Sequence, residues 1–192
     1  MTVTLGFEDG TLRIESDRES DPDLGSLPGV EADPRSETAR ASAHHYAAIR
    51  DVLRQVDADV DDTVLDPEPV SLATSYELRE YQQDALDAWL DSNRRGVLEL
   101  PTGAGKTVIA LAAMAACDEP TLVVVPTIDL LEQWQRELES EFDTPIGRLG
   151  GGEQRVESVT VATYDSAYLR ADDLGDQFGL VVFDEVHHLG AE

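Results

Sequence analysis

Two short stretches of the chain carry residue types that belong together in phosphate chemistry. The first is Leu100-Pro101-Thr102-Gly103-Ala104-Gly105-Lys106-Thr107. Gly96 to Leu100 before it reads as a strand and Gly105 to Cys117 after it as a helix, which predicts a turn between the two. Glycines in such a turn let backbone N–H groups face a phosphate chain, and the positive helix end adds to the attraction. On that reading Thr102, Gly103, Ala104 and Gly105 form the cradle, Lys106 reaches the β and γ phosphates, and the Thr107 hydroxyl holds Mg²⁺. The strict phosphate-loop pattern has glycine where Leu100 stands, so the reading rests on Gly-x-Gly-Lys-Thr and its setting. The ordinary alternative is a glycine turn with a surface lysine. Lys106 is the only lysine beside thirteen arginines, which weighs against that alternative.

The second stretch, Leu180-Val181-Val182-Phe183-Asp184-Glu185, is an apolar strand that ends in two carboxylates. Asp184 would hold the metal, through water, and Glu185 would act as general base on the attacking water. An Asp-Glu pair after a strand is by itself usually a solvated strand end. Its place downstream of Lys106, with two strands between, gives it the nucleotide reading. His187 and His188 follow, and on residue type alone they read as packing residues.

The rest of the chain must position these groups. Val3, Leu5 and Phe7 alternate, Asp9-Gly10 follows, and Leu12 and Ile14 alternate again, which predicts a β-hairpin. Residues 16–36 read as a loop, and residues 37–56 as one helix with Ala39, Ala43, Tyr46, Ile49, Leu53 and Val56 on one face. His44 and His45 lie about 100° apart on such a helix and suit solvation or packing better than a shared metal. The acidic, proline-containing stretch 57–69 reads as a linker. The expected division is a small α+β domain over 1–65, a linker over 66–75 and a second domain over 76–192. In that domain helices are expected over 79–92, 105–117 and 128–140, and strands over 96–100, 121–126, 159–164 and 180–183. Apolar strands without alternation suit a parallel sheet covered on both faces, so the fold class is α/β.

Composition narrows the setting. The 192 residues carry 14 basic and 40 acidic side chains, a net charge of −26. Carboxylates in such excess, with almost no lysine, are what molar salt favours, because the Debye length falls to about 3 Å at 1 M and self-repulsion is screened. A halophilic source is expected, and under such screening the acidity does not exclude a nucleic-acid partner. No apolar run approaches the ~20 residues of a membrane span. No secretion signal opens the chain, and the single cysteine, Cys117, excludes an internal disulfide and a Cys-rich zinc site, so a cytoplasmic setting is expected.

Leu100 to Thr107 with Asp184-Glu185-Val186-His187 resembles the superfamily 2 helicases of the DEAD/DEAH-box group. Leu78-Arg79-Glu80-Tyr81-Gln82, Val125-Pro126-Thr127 with Leu130 and Gln133-Trp134, and Ala162-Thr163-Tyr164-Asp165-Ser166-Ala167 narrow the resemblance to the XPB branch, the DNA repair and transcription helicases, and to its archaeal members. The hairpin and helix of residues 1–65 resemble the small damage-recognition domain that precedes the motor there. The resemblance implies a RecA-like first lobe that binds ATP and Mg²⁺ and acts on DNA. It implies that Gln82 and Arg79 read adenine, that Thr127, Thr163 and Tyr164 touch the DNA backbone, and that His187 couples hydrolysis to movement. Capping and packing are the alternative roles for the three DNA-facing residues.

In that family a second lobe completes the ATP site, and the chain stops at Glu192 without one. Weak turnover and no unwinding are therefore expected of the 192 residues alone. The strand that would carry the family's next motif belongs between the phosphate-loop strand and the Asp-Glu strand, so an unstable or aggregating fragment is expected as well. Two other readings stay open: the motor subunit of a restriction system, and a non-catalytic nucleotide-binding remnant.

Overall fold

A computed structural model describes residues 2–16, 24–33, 36, 38–64 and 67–186. The chain divides into two compact units, residues 1–66 with 172–176, and residues 67–171 with 177–192.

The first unit is a five-stranded mixed sheet with one helix. Strands β1 (Thr2–Glu8) and β2 (Thr11–Ser16) form the expected hairpin, with Asp9 and Gly10 both at positive φ in its two-residue turn. Strands β3 (Val30–Ala32), β4 (Ala39–Ser42) and, after helix α1 (Tyr46–Gln55), β5 (Asp59–Asp62) complete the order β3-β4-β2-β1-β5. Val3, Leu5, Leu12 and Ile14 face Ile49 and Leu53 of α1 in one core.

Three expectations change here. The single helix over 37–56 is a strand, a short 3₁₀ turn and a ten-residue helix, with Glu37 outside the described residues. Ala39 and Ala41 are buried at a spacing of two, the period of a strand, and small alanines there leave the helical alternative equally plausible in sequence. The loop over 16–36 contains β3, its residues 17–23 and 34–35 lying outside the described ones. The acidic stretch read as linker contains β5, which runs parallel to β1. Its carboxylates have partners: Asp59 accepts from the Thr2 hydroxyl, and Asp62 accepts from Tyr46 Oη at 2.7 Å and pairs with Arg50 at 3.0 Å.

The second unit carries helices α2 (Glu80–Asp91), α3 (Lys106–Cys117), α4 (Ile128–Glu141) and α5 (Tyr164–Leu169), and strands β6 (Thr121–Val125), β7 (Ile146–Gly150), β8 (Glu153–Arg155), β9 (Val159–Thr163) and β10 (Leu180–Phe183). The order is β10-β6-β9-β7-β8, parallel except for the β7–β8 hairpin, which confirms the α/β class. Every residue of β6 and β9 is buried, as strands covered on both faces must be. A one-turn helix, α6 (Ala171–Leu174), begins at the last residue before the segment 172–176 that belongs to the first unit.

Two corrections bear on the site. Residues 67–75 are no free linker. Val70 N–H donates to Asp118 O, Leu72 is buried with its N–H on the Asp118 carboxylate, and Thr74 and Ser75 bind Glu141. The expected strand over 96–100 forms no ladder among the described residues; it and β10 both line a cleft of about 610 Å³. Neighbouring strands must lie about 4.8 Å apart, and Val97, Val181 and Phe183 are correspondingly exposed at the cleft.

Candidate functional site

The turn before α3 has the conformation its glycines permit. Gly103 and Gly105 hold φ +79° and +80°, the left-handed region that a side chain disfavours. A Cβ at Gly103 would meet nothing within 4 Å, whereas one at Gly105 would approach Gln82 Nε2 to 2.5 Å. Gly103 therefore leaves room for a ligand and Gly105 makes room for a neighbour. Lys106 opens α3 and donates from Nζ to Leu100 O at 3.1 Å, across the turn.

Helix α2 braces this turn from outside. Gln82 is buried; its Oε1 accepts from Arg79 N at 2.9 Å, which caps α2, and its Nε2 donates to Ala104 O at 3.0 Å. Tyr81 Oη donates to the same carbonyl at 2.8 Å, and Arg79 reaches Tyr81 Oη at 3.4 Å. The pair expected at adenine, Gln82 and Arg79, thus stands beside the phosphate turn, and Gln82 also holds it.

The carboxylates arrive from the other side. Leu180 to Asp184 carries the chain along β6 and delivers Asp184 and Glu185 to the cleft that Lys106 and Thr107 also line. One cation, one hydroxyl and two carboxylates on one cleft are a fitting donor set for a magnesium-bound triphosphate. Glu185 holds φ +52°, a conformation rare for a residue with a side chain, and its N–H donates to Asp184 Oδ1 at 2.9 Å. Trp134 Nε1 donates to Asp184 Oδ2 at 2.7 Å, and Tyr164 Oη donates to Asp184 O at 2.5 Å. Burial, together with the charges of Asp184 and Glu185, pushes the Tyr164 hydroxyl above its ordinary range and keeps it a donor. His187 lies outside the described residues.

The residues expected at DNA separate into two kinds. Thr127 is exposed at the N-cap of α4, its Oγ1 accepting from Leu130 N at 3.3 Å. Thr163 is buried and caps α5, accepting from Ser166 N, so in this structure it has the capping role instead of an exposed surface. Tyr164 points its hydroxyl at Asp184, toward the carboxylate cleft. Sequence reasoning missed the run Gly150-Gly151-Gly152, all at positive φ. A Cβ at Gly150 would crowd Thr163, and one at Gly151 would touch Ile128, so this turn lies against the starts of α4 and α5. Three consecutive glycines were the available signal.

Comparisons with known proteins match two stretches of the chain to two families. Residues 75–192 match the family described as "Type III restriction enzyme, res subunit", and residues 5–64 match the "Xeroderma pigmentosum group B helicase damage recognition domain". The DNA 3'-5' translocase XPB2 of Sulfurisphaera tokodaii is 43% identical over 166 residues, 86% of this chain and 38% of the relative. A Rad25 protein of Halobacterium salinarum is 40% identical over 83% of this chain and 28% of its own length. The DNA 3'-5' helicase XPB of Mycobacterium tuberculosis is 37% identical over 64% of this chain and 24% of its length. The chain thus spans well under half the length of these curated relatives. Among the described residues no helix is long and apolar enough to cross a membrane.

Proposed function

The chain belongs to the XPB type of superfamily 2 helicases, and from that membership we propose that its second unit binds ATP and Mg²⁺ as the first lobe of a DNA-acting motor. One observation carries the reading: Lys106, Thr107, Asp184 and Glu185 line a single cleft behind a glycine turn open to a ligand. In it Lys106 neutralises the β and γ phosphates, and Thr107 and Asp184 hold the metal. Glu185 orients water and accepts its proton, and Arg79 and Gln82 read adenine. Bound Mg²⁺ neutralises charge on the phosphates. His187 is assigned its coupling role by family likeness.

DNA is the proposed track, along the exposed start of α4 at Thr127 and the glycine turn Gly150–Gly152, with Thr163 and Tyr164 acting from beneath. The activity in the relatives' names, movement on DNA in the 3'-5' sense, is proposed here for a motor completed by a second lobe. Arginines from such a lobe are worth about 10³–10⁵ in rate for related nucleotidases, so the 192 residues alone turn over ATP slowly. A cytoplasm of molar salt is the proposed setting, from the net charge of −26.

The test is equilibrium binding of a fluorescent ATP analogue with Mg²⁺ in molar KCl, for this chain and for Lys106→Ala. Binding that weakens at least about tenfold, ~1.4 kcal/mol, on substitution is expected. No binding by the unsubstituted chain, or equal binding by both, refutes the reading. The restriction-system motor is kept as a second reading by the description of the family that matches residues 75–192. A nuclease segment in the full gene would favour it, and a second lobe without one favours the XPB kind.

A further inference from the structure

The carboxylate needed for the metal is held by a residue that nucleotide chemistry does not require. Trp134, 3% exposed on α4, donates its indole Nε1–H to Asp184 Oδ2 at 2.7 Å. An indole N–H only donates, and a buried donor without an acceptor is costly. The ring belongs to the main apolar core with Leu131, Leu138 and Val161, so the donor is fixed and the carboxylate must orient to it. Asp184 Oδ1 meanwhile accepts from Glu185 N, and the Asp184 carbonyl accepts from Tyr164 Oη on α5. Asp184 is thereby tied through one side chain to α4, which begins at exposed Thr127, and through another to α5, which begins at Thr163.

We propose that Trp134 is a positioning residue that sets the Asp184 carboxylate for Mg²⁺. The inference rests on the ATP–Mg²⁺ reading above. Donors one step behind a metal-binding carboxylate typically account for about 10–100-fold in metal affinity.

Trp134→Phe keeps an aromatic ring and removes only the N–H donor and the smaller ring. A fluorescent ATP analogue is titrated onto each protein in EDTA, and then with increasing Mg²⁺ at fixed nucleotide. The Mg²⁺ concentration for half-maximal effect should rise about tenfold or more while the affinity in EDTA stays unchanged. In an Asp184→Ala background, Trp134→Phe should add nothing. A core that is merely loosened would weaken binding in EDTA as well and in both backgrounds, and would overturn the assignment. An unchanged Mg²⁺ dependence in Trp134→Phe, with binding by the unsubstituted chain intact, overturns this inference alone; absent nucleotide binding by the unsubstituted chain overturns the ATP reading and this with it. If Trp134→Phe does not fold, the unsubstituted chain answers. Its Trp134 indole N–H resonance, assigned with Trp89→Phe, should move when Mg²⁺ joins bound nucleotide, and a resonance that stays in place overturns the inference.

Discussion

Replacing Gln82 by alanine tests how far the brace behind the phosphate turn determines the turn's shape. The substitution removes two hydrogen bonds, from Arg79 N at 2.9 Å and to Ala104 O at 3.0 Å. A neutral hydrogen bond contributes about 0.5–1.5 kcal/mol net. Ala104 O keeps Tyr81 as a partner, and Arg79 N–H lies at an exposed helix start where water replaces the lost acceptor. The cost therefore falls at about 1–2 kcal/mol, which for a unit of this size lowers the melting temperature by about 4–10 °C. Gly105→Ala is the companion perturbation. It forces a side chain into the left-handed region, at about 1–2 kcal/mol, and its Cβ meets Gln82 Nε2 at 2.5 Å. With Gln82 already alanine the clash is gone and only the backbone cost remains, so the double variant should be more stable than the two single effects added together. Thermal melts in molar KCl of the four proteins measure this. Strict additivity, or a Gln82→Ala melt within about a degree of the parent, would refute the brace.

Three further outcomes are expected. Burial, with help from Asp62, pushes the Tyr46 hydroxyl up to about 12. A raised folded value means the stabilisation is complete below the ordinary value of about 10 and is lost as pH rises toward 12. Alkaline titration by absorbance should find one tyrosine near that value, and Asp62→Ala should return it toward 10. Burial raises the Glu141 carboxyl, but hydrogen bonds from Thr74 and Ser75 outweigh it and hold the group below its usual range. Their stabilisation is present above the ordinary carboxylate range and disappears as pH falls through the depressed value, so the protection of the Ser75 amide from exchange, relative to a free amide at the same pH, should fall at acid pH in the parent and be missing at every pH in Glu141→Ala. Raising KCl from about 0.1 M to about 1 M shortens the Debye length from about 10 Å to 3 Å, and with a net charge of −26 the melting temperature should climb; a flat response would refute the halophilic reading.

Most of the second unit is legible because its strands and helices are apolar at a clear period. Expected and observed bounds for α2, α3, β6, α4, β9 and β10 agree to within a residue or so. Strand β7 escaped because Ile146-Gly-Arg-Leu-Gly150 looks like turn chemistry. Gly147 is there for contact, since a Cβ would meet Thr160 Oγ1 at 2.3 Å. Strand β5 escaped because Asp-Val-Asp-Asp looks solvated until Arg50 and Tyr46 are seen to meet Asp62. At the site, the glycine turn and the Asp-Glu pair are local patterns and could be read directly. The contacts of Trp134 and Tyr164 with Asp184 span 50 and 20 residues of sequence, and no spacing rule announces them.

The left-handed backbone at Glu185 sets stability against chemistry. A non-glycine residue there costs about 1–2 kcal/mol that glycine would not. The substitution that would relax the fold most cheaply at this point, Glu185→Gly, is also the one that deletes the proposed general base. If Glu185 acts as proposed, a library screened only for thermal stability should enrich the glycine variant, which lacks the base, and one screened for nucleotide turnover should retain the glutamate.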